Sequence, residues 1–178
     1  KDQVIAQIGT GSSGIQVAPE IAKIVKKLVI FQRTPNYSIP ARNKKLTKEI
    51  SNNYLKNYEK IKKLIKKTPG GHTFSFPKRS VFDYSKIERD KIFEKAWIKG
   101  SLAFRACFGD ITKNLKANEK ASNFIKEKIL KIVKDKKKAK ILTNFDHPFT
   151  SKRPTLNTNY YETFNRKNIE LVDLKTNP

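Results

Sequence analysis

The hydrophobic pattern changes period twice within the first 31 residues. Val4, Ile5, Ala6 and Ile8 give a short apolar run that reads as a buried strand, and the run stops at Gly9. From there the apolar positions are Ile15, Val17, Ala18, Ile21, Ala22 and Val25, a helical spacing, with Lys26 and Lys27 placed to meet the negative end of the helix dipole. Leu28–Phe31, LVIF, is a second buried-type run. Strand, helix and strand within about thirty residues predict a β-α-β unit.

The pattern then turns helical. Thr34–Asn43, TPNYSIPARN, carries two prolines, which argue against helix and central strand, so an ordered loop leading out of the domain is expected. Leu46, Ile50, Tyr54, Tyr58, Ile61 and Ile65 fall three or four apart and predict one amphipathic helix, ended by Thr68, Pro69, Gly70 and Gly71. Ser85 followed by Glu88 is a capping box, ahead of Ile92, Phe93, Ala96 and Trp97, with Gly100 as the stop. Ser101–Asp110 reads as turn or short helix. Ala121, Phe124, Ile125, Ile129, Ile132 and Val133 mark a further helix, and Asp135 is placed to cap a short one holding Ala139 and Leu142. The helical period stops at Asn144, Asp146–Tyr161 is a proline-punctuated loop, and Ile169–Leu174 reads as a short strand. Phe74, Phe76, Phe104 and Phe108 read as core, with the lining of a substrate cavity as the alternative.

These elements predict an α/β fold, a Rossmann-like dinucleotide-binding domain with a largely helical insertion. Residues 1–43 form its first β-α-β, 44–143 the insertion, and 144–178 the return loop and strand. The domain is expected to be incomplete at both ends, because the chain opens with Lys1 directly before its first strand and stops without further β-α units. The open sheet then needs partners.

Composition changes this picture little. With 178 residues, 37% hydrophobic, the chain suits one globular unit. Its one cysteine, Cys107, excludes an internal disulfide, and no Cys or His spacing suits a metal, which together point to a reducing, cytoplasmic setting. No apolar run is long enough to span a bilayer. Lys and Arg number 39 against 16 Asp and Glu, a net charge of +23 that invites a nucleic-acid reading. That excess is mostly lysine spread over helical segments such as Lys56–Lys67 and Lys126–Lys140, so solvated faces explain it better than a nucleic-acid site.

The chemistry starts at the first turn. Gly9, Gly11 and Gly14 form G-x-G-x-x-G between strand and helix: the first glycine permits the turn, the second lets a pyrophosphate approach, and the third packs helix on strand. The hydroxyls of Ser12 and Ser13 add donors beside the free N–H groups of the helix start. A P-loop is excluded, since Ile15 and Gln16 follow Gly14 where Lys and Ser or Thr are needed. Between Ile21 and Lys48 there is no Asp or Glu to accept from a ribose 2′-hydroxyl; the second strand runs instead into Gln32, Arg33 and Thr34. A guanidinium beside a hydroxyl suits a 2′-phosphate, so the expected ligand is NADP. Lys152 and Arg153, braced by Pro154, form a basic pair that an ordered loop can aim. His147, with no acid or nucleophile recognised beside it, reads as a surface or hydrogen-bonding residue.

Four stretches, IGTGSSGIQ, FQRTPNYSIPARN, FEKAWIKGSLAFRACFGD and SKRPTLNTNYYETFNRKNIELVD, occur in order and resemble the Baeyer-Villiger monooxygenases of the cyclohexanone-monooxygenase type. The resemblance implies an enzyme dependent on FAD and NADPH that inserts one oxygen atom of O₂ beside a ketone carbonyl. It implies that Gly9, Thr10, Gly11, Ser12, Ser13, Gly14 and Gln16 line the pyrophosphate site, and that Arg33, Thr34 and Lys152 hold the 2′-phosphate. Arg153 would be the catalytic residue, stabilising negative charge that develops as oxygen adds to the carbonyl. The FAD-binding segments would lie outside this chain, so the 178 residues alone are expected to hold no flavin and catalyse nothing. The partners implied are a small ketone, O₂ and the remainder of the polypeptide, without nucleic acid or membrane. Phe149-Thr150-Ser151 departs from the family, whose members often carry a glycine-containing turn there. A flavin monooxygenase oxidising nitrogen or sulfur is the nearest alternative, and a basic nucleic-acid-binding module a distant one.

Overall fold

The computed structural model describes residues 2–68 and 70–176. Strand β1 (Val4–Ile8) leads through the glycine turn into helix α1 (Ser12–Ile21) and strand β2 (Lys27–Gln32). A three-residue strand, β3 (Ser38–Pro40), precedes a run of helices: α2 (Lys48–Lys56), α3 (Tyr58–Lys67), α4 (Lys86–Lys99), α5 (Leu115–Ile132) and α6 (Lys136–Leu142). The chain returns through β4 (Thr155–Asn157), the single turn α7 (Tyr160–Thr163) and β5 (Ile169–Asp173). β1, β2 and β5 form a parallel sheet with β2 in the centre, and β3 pairs parallel with β4. This is the α/β class expected, parallel sheets with a helical segment between their halves.

Local signals placed the elements well where capping chemistry was involved. Ser85 and Glu88 make both halves of the capping box of α4, and Gly100 ends that helix at φ 71°. Asp135 Oδ1 accepts from the Lys137 and Lys138 amides to cap α6. The undecided Ser101–Asp110 stretch contains a 3-10 turn, Leu102–Ala106.

Three expectations need correction. The first helix stops at Ile21 rather than near Val25, because Pro19 lies inside it and the Asn168 side chain takes the carbonyls of Ala22 and Val25; Lys27 consequently starts β2 and caps nothing. The helix expected from Leu46 to Ile65 is two, broken at Asn57, whose side-chain amide bonds back to the Asn53 carbonyl and carboxamide. Of its expected stop signals, Pro69 lies outside the described residues. The third correction is to the two proline loops. Each contributes a strand, β3 and β4, and Pro40 is tolerated at the end of β3 in a two-stranded sheet where few ladder donors are needed.

One apolar core underlies both parts. Ile15, Ala18 and Ala22 of α1 pack over Leu28, Ile30 and Ile169 of the sheet, and α1 also packs on β4 and α7. Phe93 and Trp97 of α4, Phe104, Phe108, Phe124 of α5 and Phe149 form a continuous aromatic cluster. Phe104 and Phe108 are fully buried, as core residues should be, whereas Phe74 and Phe76 are half-buried and stack around Arg105. The opposite face of the parallel sheet is different. Ile8, Phe31 and Val172 stand in register there, with Ala6 and Val29 beside them, and Ile8 is 86% exposed.

Candidate dinucleotide site

The glycine turn is built by the strand it follows. Gly9 sits at φ 95°, a left-handed conformation that a side chain disfavours, and its N–H donates to the Phe31 carbonyl at 2.9 Å, extending the β1–β2 ladder into the turn. Gln7, one residue before the end of β1, donates its amide to the carbonyls of Gly9 (3.0 Å) and Gly14 (3.3 Å). A Cβ on Gly14 would meet the Gly9 carbonyl oxygen at 2.5 Å, so this position takes glycine for close packing of helix on strand. Around Gly11 the space is open, with nothing within 4 Å of a Cβ. Thr10 is buried and its hydroxyl donates to the Thr34 carbonyl at 3.4 Å, tying the turn to the chain leaving β2.

The turn opens on a cavity of about 470 Å³ at the carboxyl ends of β1 and β2. Gly9, Thr10 and Gly11 line it from the turn, Arg33 and Thr34 from the end of β2, and Lys152 from the far side. None of the described side chains that line it is acidic. The first turn of α1 likewise carries no carboxylate, so its free N–H groups and the positive end of its dipole remain unneutralised beside Ser12 and Ser13, both exposed. Arg33 and Lys152 are exposed as well, free to reach a ligand.

Five of the expected site residues are absent from that lining: Ser12, Ser13 and Gly14 carry the turn on into α1, and Gln16 and Arg153 lie elsewhere. Gln16 lines a neighbouring groove of about 440 Å³ with Glu20, Asn43 and Thr158. Arg153 follows Lys152 but is exposed outside the cavity lining, with its carbonyl accepting from Asn36 at 3.2 Å. Sequence reasoning missed Gln7 and Asn36, since each acts through the backbone of residues that only the fold brings near. It also missed the partner of His147. Nδ1 lies 2.9 Å from Asp146 Oδ1, and this contact together with Lys175 Nζ at 2.9 Å holds the Asp146 carboxyl well below its usual range. His147 thus has an adjacent acid, but stands edge-on to Tyr37 in a structural cluster rather than at the cavity. Cys107 is buried, and burial pushes its thiol up to about 12, which removes it as a nucleophile at neutral pH.

Such a parallel sheet with a glycine turn and an anion-favouring cavity at its strand ends defines a Rossmann-like dinucleotide fold. No family model matches the chain. Cyclohexanone 1,2-monooxygenase from Acinetobacter sp is 40% identical over 177 residues, 98% of this chain and 32% of its own length. Phenazine N-monooxygenase PhzNO1 from Lysobacter antibioticus is 36% identical over 98% of this chain and 32% of its own. The crystal structure of OTEMO in complex with FAD and NADP superposes with a TM-score of 0.96 at 35% identity, over 99% of this chain and 33% of that one. The chain spans about a third of the length of the curated relatives it matches. In sequence and in fold it corresponds to that third of the Baeyer-Villiger monooxygenases, as the four sequence stretches implied.

Proposed function

We propose that this chain is the NADP-binding part of a FAD- and NADPH-dependent monooxygenase that inserts an oxygen atom of O₂ beside a ketone carbonyl, giving an ester or lactone. The observation that carries this reading is the convergence of Arg33, Thr34 and Lys152 with the glycine turn on one acid-free cavity. The fit to NADP is specific at two points. Open space at Gly11 leaves room for a pyrophosphate against the α1 N–H groups, and the two cations suit a 2′-phosphate better than a ribose diol. When bound, NADPH supplies hydride and flavin the oxygen chemistry. Gly9–Gly14 would seat the pyrophosphate, with Gln16 reaching it from the neighbouring groove, while Arg33, Thr34 and Lys152 would hold the 2′-phosphate. Arg153 would place a permanent positive charge where negative charge develops on the reacting oxygen, with its backbone fixed by Asn36.

In this reading residues 1–43 and 144–178 build the cofactor-binding half and 44–143 a helical insertion. The FAD-binding residues come from the rest of the polypeptide, so the 178 residues alone bind no flavin and have no activity. Among the described residues no helix is long and apolar enough to cross a membrane. We place the protein in the cytoplasm, a setting that suits its free, buried cysteine. The lysines of α2, α3 and α6 are mostly exposed on outer helix faces, away from the cavity, and we assign them no nucleic-acid role.

The test is Arg33→Ala in the full-length enzyme. Losing charge-assisted hydrogen bonds to a phosphate lowers NADPH affinity about ten- to hundred-fold and leaves NADH nearly untouched. Equal effects on both cofactors would refute the 2′-phosphate assignment. A second reading, oxidation of nitrogen in an aromatic heterocycle, is supported by the similarity to a phenazine N-monooxygenase. Product analysis with a cyclic ketone and a phenazine separates the two.

A further inference from the structure

Lys152 reaches the cavity only because a short, awkward loop is held in place. Thr150 lies at φ 73°, a conformation rare for a residue with a side chain, two positions before Lys152. Left to itself such a loop relaxes, since a non-glycine residue in the left-handed region costs about 1–2 kcal/mol. The restraint comes from α5. Asn118 is 6% exposed, and its Nδ2 donates to the Phe149 carbonyl at 2.6 Å while its Oδ1 accepts from the Phe149 N–H at 2.9 Å. One side chain therefore grips both backbone groups of the residue just before Thr150.

The grip is itself braced. Nδ2 also donates to the Ile111 carbonyl at 2.9 Å, and Oδ1 also accepts from Ser122 Oγ at 3.1 Å, one turn along α5. All four hydrogen-bonding positions of the amide are thereby used, which fixes its orientation. Ser122 in turn lies beside the phenol of Tyr37, the residue before β3. Beyond Lys152, Asn36 takes the Arg153 carbonyl and β3 pairs with β4 from Ser38–Thr155 onward. The loop is thus clamped on both sides, by α5 at Phe149 and by the chain after β2 at Arg153. The second clamp belongs to the segment that also carries Arg33.

We propose that Asn118 is a positioning residue for the cofactor site: by holding both backbone groups of Phe149 it sets the strained loop so that Lys152 meets Arg33 at the 2′-phosphate. This rests on the NADP reading above. It touches no cofactor itself and acts only through Lys152.

The experiment is a double-mutant cycle in the full-length enzyme, with Asn118→Ala, Lys152→Ala and the pair, measuring KM for NADPH and for NADH on the same preparation. Partial unfolding lowers the active fraction and with it the maximal rate, and leaves both KM values where they were. Asn118→Ala is expected to raise the NADPH KM about ten-fold and leave the NADH KM unchanged, as a small displacement of an aligned group does. The double variant is expected to be no worse for NADPH than Lys152→Ala alone. Equal changes for the two cofactors, or additive losses, overturn the proposal. If Lys152→Ala itself fails to discriminate NADPH from NADH, the underlying 2′-phosphate reading falls; if Lys152→Ala discriminates and Asn118→Ala does not, only the positioning role falls. Should Asn118→Ala not accumulate, Ser122→Ala loosens the same amide by one hydrogen bond. It is then expected to shift the ratio in the same direction by a smaller factor, and an unchanged ratio overturns the proposal.

Discussion

Gly11 and Gly14 lie three residues apart in one motif, yet the structure separates what each does. A Cβ on Gly14 would stand 2.5 Å from the Gly9 carbonyl oxygen and 2.9 Å from Gln7 Nε2. The first neighbour is backbone and cannot rotate away, so the overlap must be relieved by moving α1 or the turn, for which overpacking data suggest about 1–3 kcal/mol. Gln7 would also be displaced from its bonds to Gly9 and Gly14, at about 0.5–1.5 kcal/mol each. Alanine's better helix propensity returns about 0.5–1 kcal/mol. Gly14→Ala should therefore destabilise by about 1–5 kcal/mol and lower Tm by several degrees before any cofactor is added. Gly11→Ala meets nothing within 4 Å and has φ −78°, so its effect on folding is that of a poorer N-cap, about 1 kcal/mol or less. Its methyl would occupy the room left for the pyrophosphate, and NADPH affinity should fall at least ten-fold. Thermal melts without cofactor, paired with NADPH titrations of the full-length enzyme, read the two effects separately. A Gly11→Ala variant with wild-type affinity, or a Gly14→Ala variant with wild-type Tm, would refute the reasoning.

Three further outcomes follow from side chains outside the turn. Thr150→Gly removes left-handed strain of about 1–2 kcal/mol. It adds back about 0.5–1 kcal/mol of unfolded-chain entropy, so chemical denaturation should show a small net gain in stability. Cys107, with its thiol pushed up to about 12, should resist a disulfide reagent at pH 8 in the native protein and react at once in denaturant; equal rates would contradict its burial. Asp146 is held low by His147 and Lys175, so its contribution is present above the ordinary carboxylate pKa and lost as pH falls below about 4. Asp146→Asn should accordingly narrow the stability difference between pH 6 and pH 3, and an unchanged difference would remove that role.

What the sequence made legible were features whose cause lies within a few residues. The glycine turn, the Ser85–Glu88 box and the Asp135 cap each depend on neighbours two to five positions away, and each stands where the pattern put it. β3 and β4 were hidden because three residues carry no periodicity; their pairing joins Ser38 to Thr155, 117 positions on, and prolines masked both segments. The break at Asn57 depended on a side chain competing with the backbone inside an otherwise regular apolar stripe. In the site, Arg33 and Lys152 were legible by residue type, whereas Gln7, Asn36 and Asn118 are ordinary polar residues until the fold gives each a backbone group to hold.

The uncovered sheet face bears on how the site is completed. Parallel sheets are buried on both faces, yet here α1 covers only one, and Ile8, Phe31 and Val172 lie in a row across the other. The cavity opens at the carboxyl ends of those same strands, with Ile8 and Phe31 in its wall. Whatever covers the open face therefore also approaches the cavity, and a surface that is apolar along Ala6, Ile8, Val29 and Phe31 suits packed protein better than solvent. The excess lysine of this chain sits on the outer faces of its helices and cannot serve as that cover.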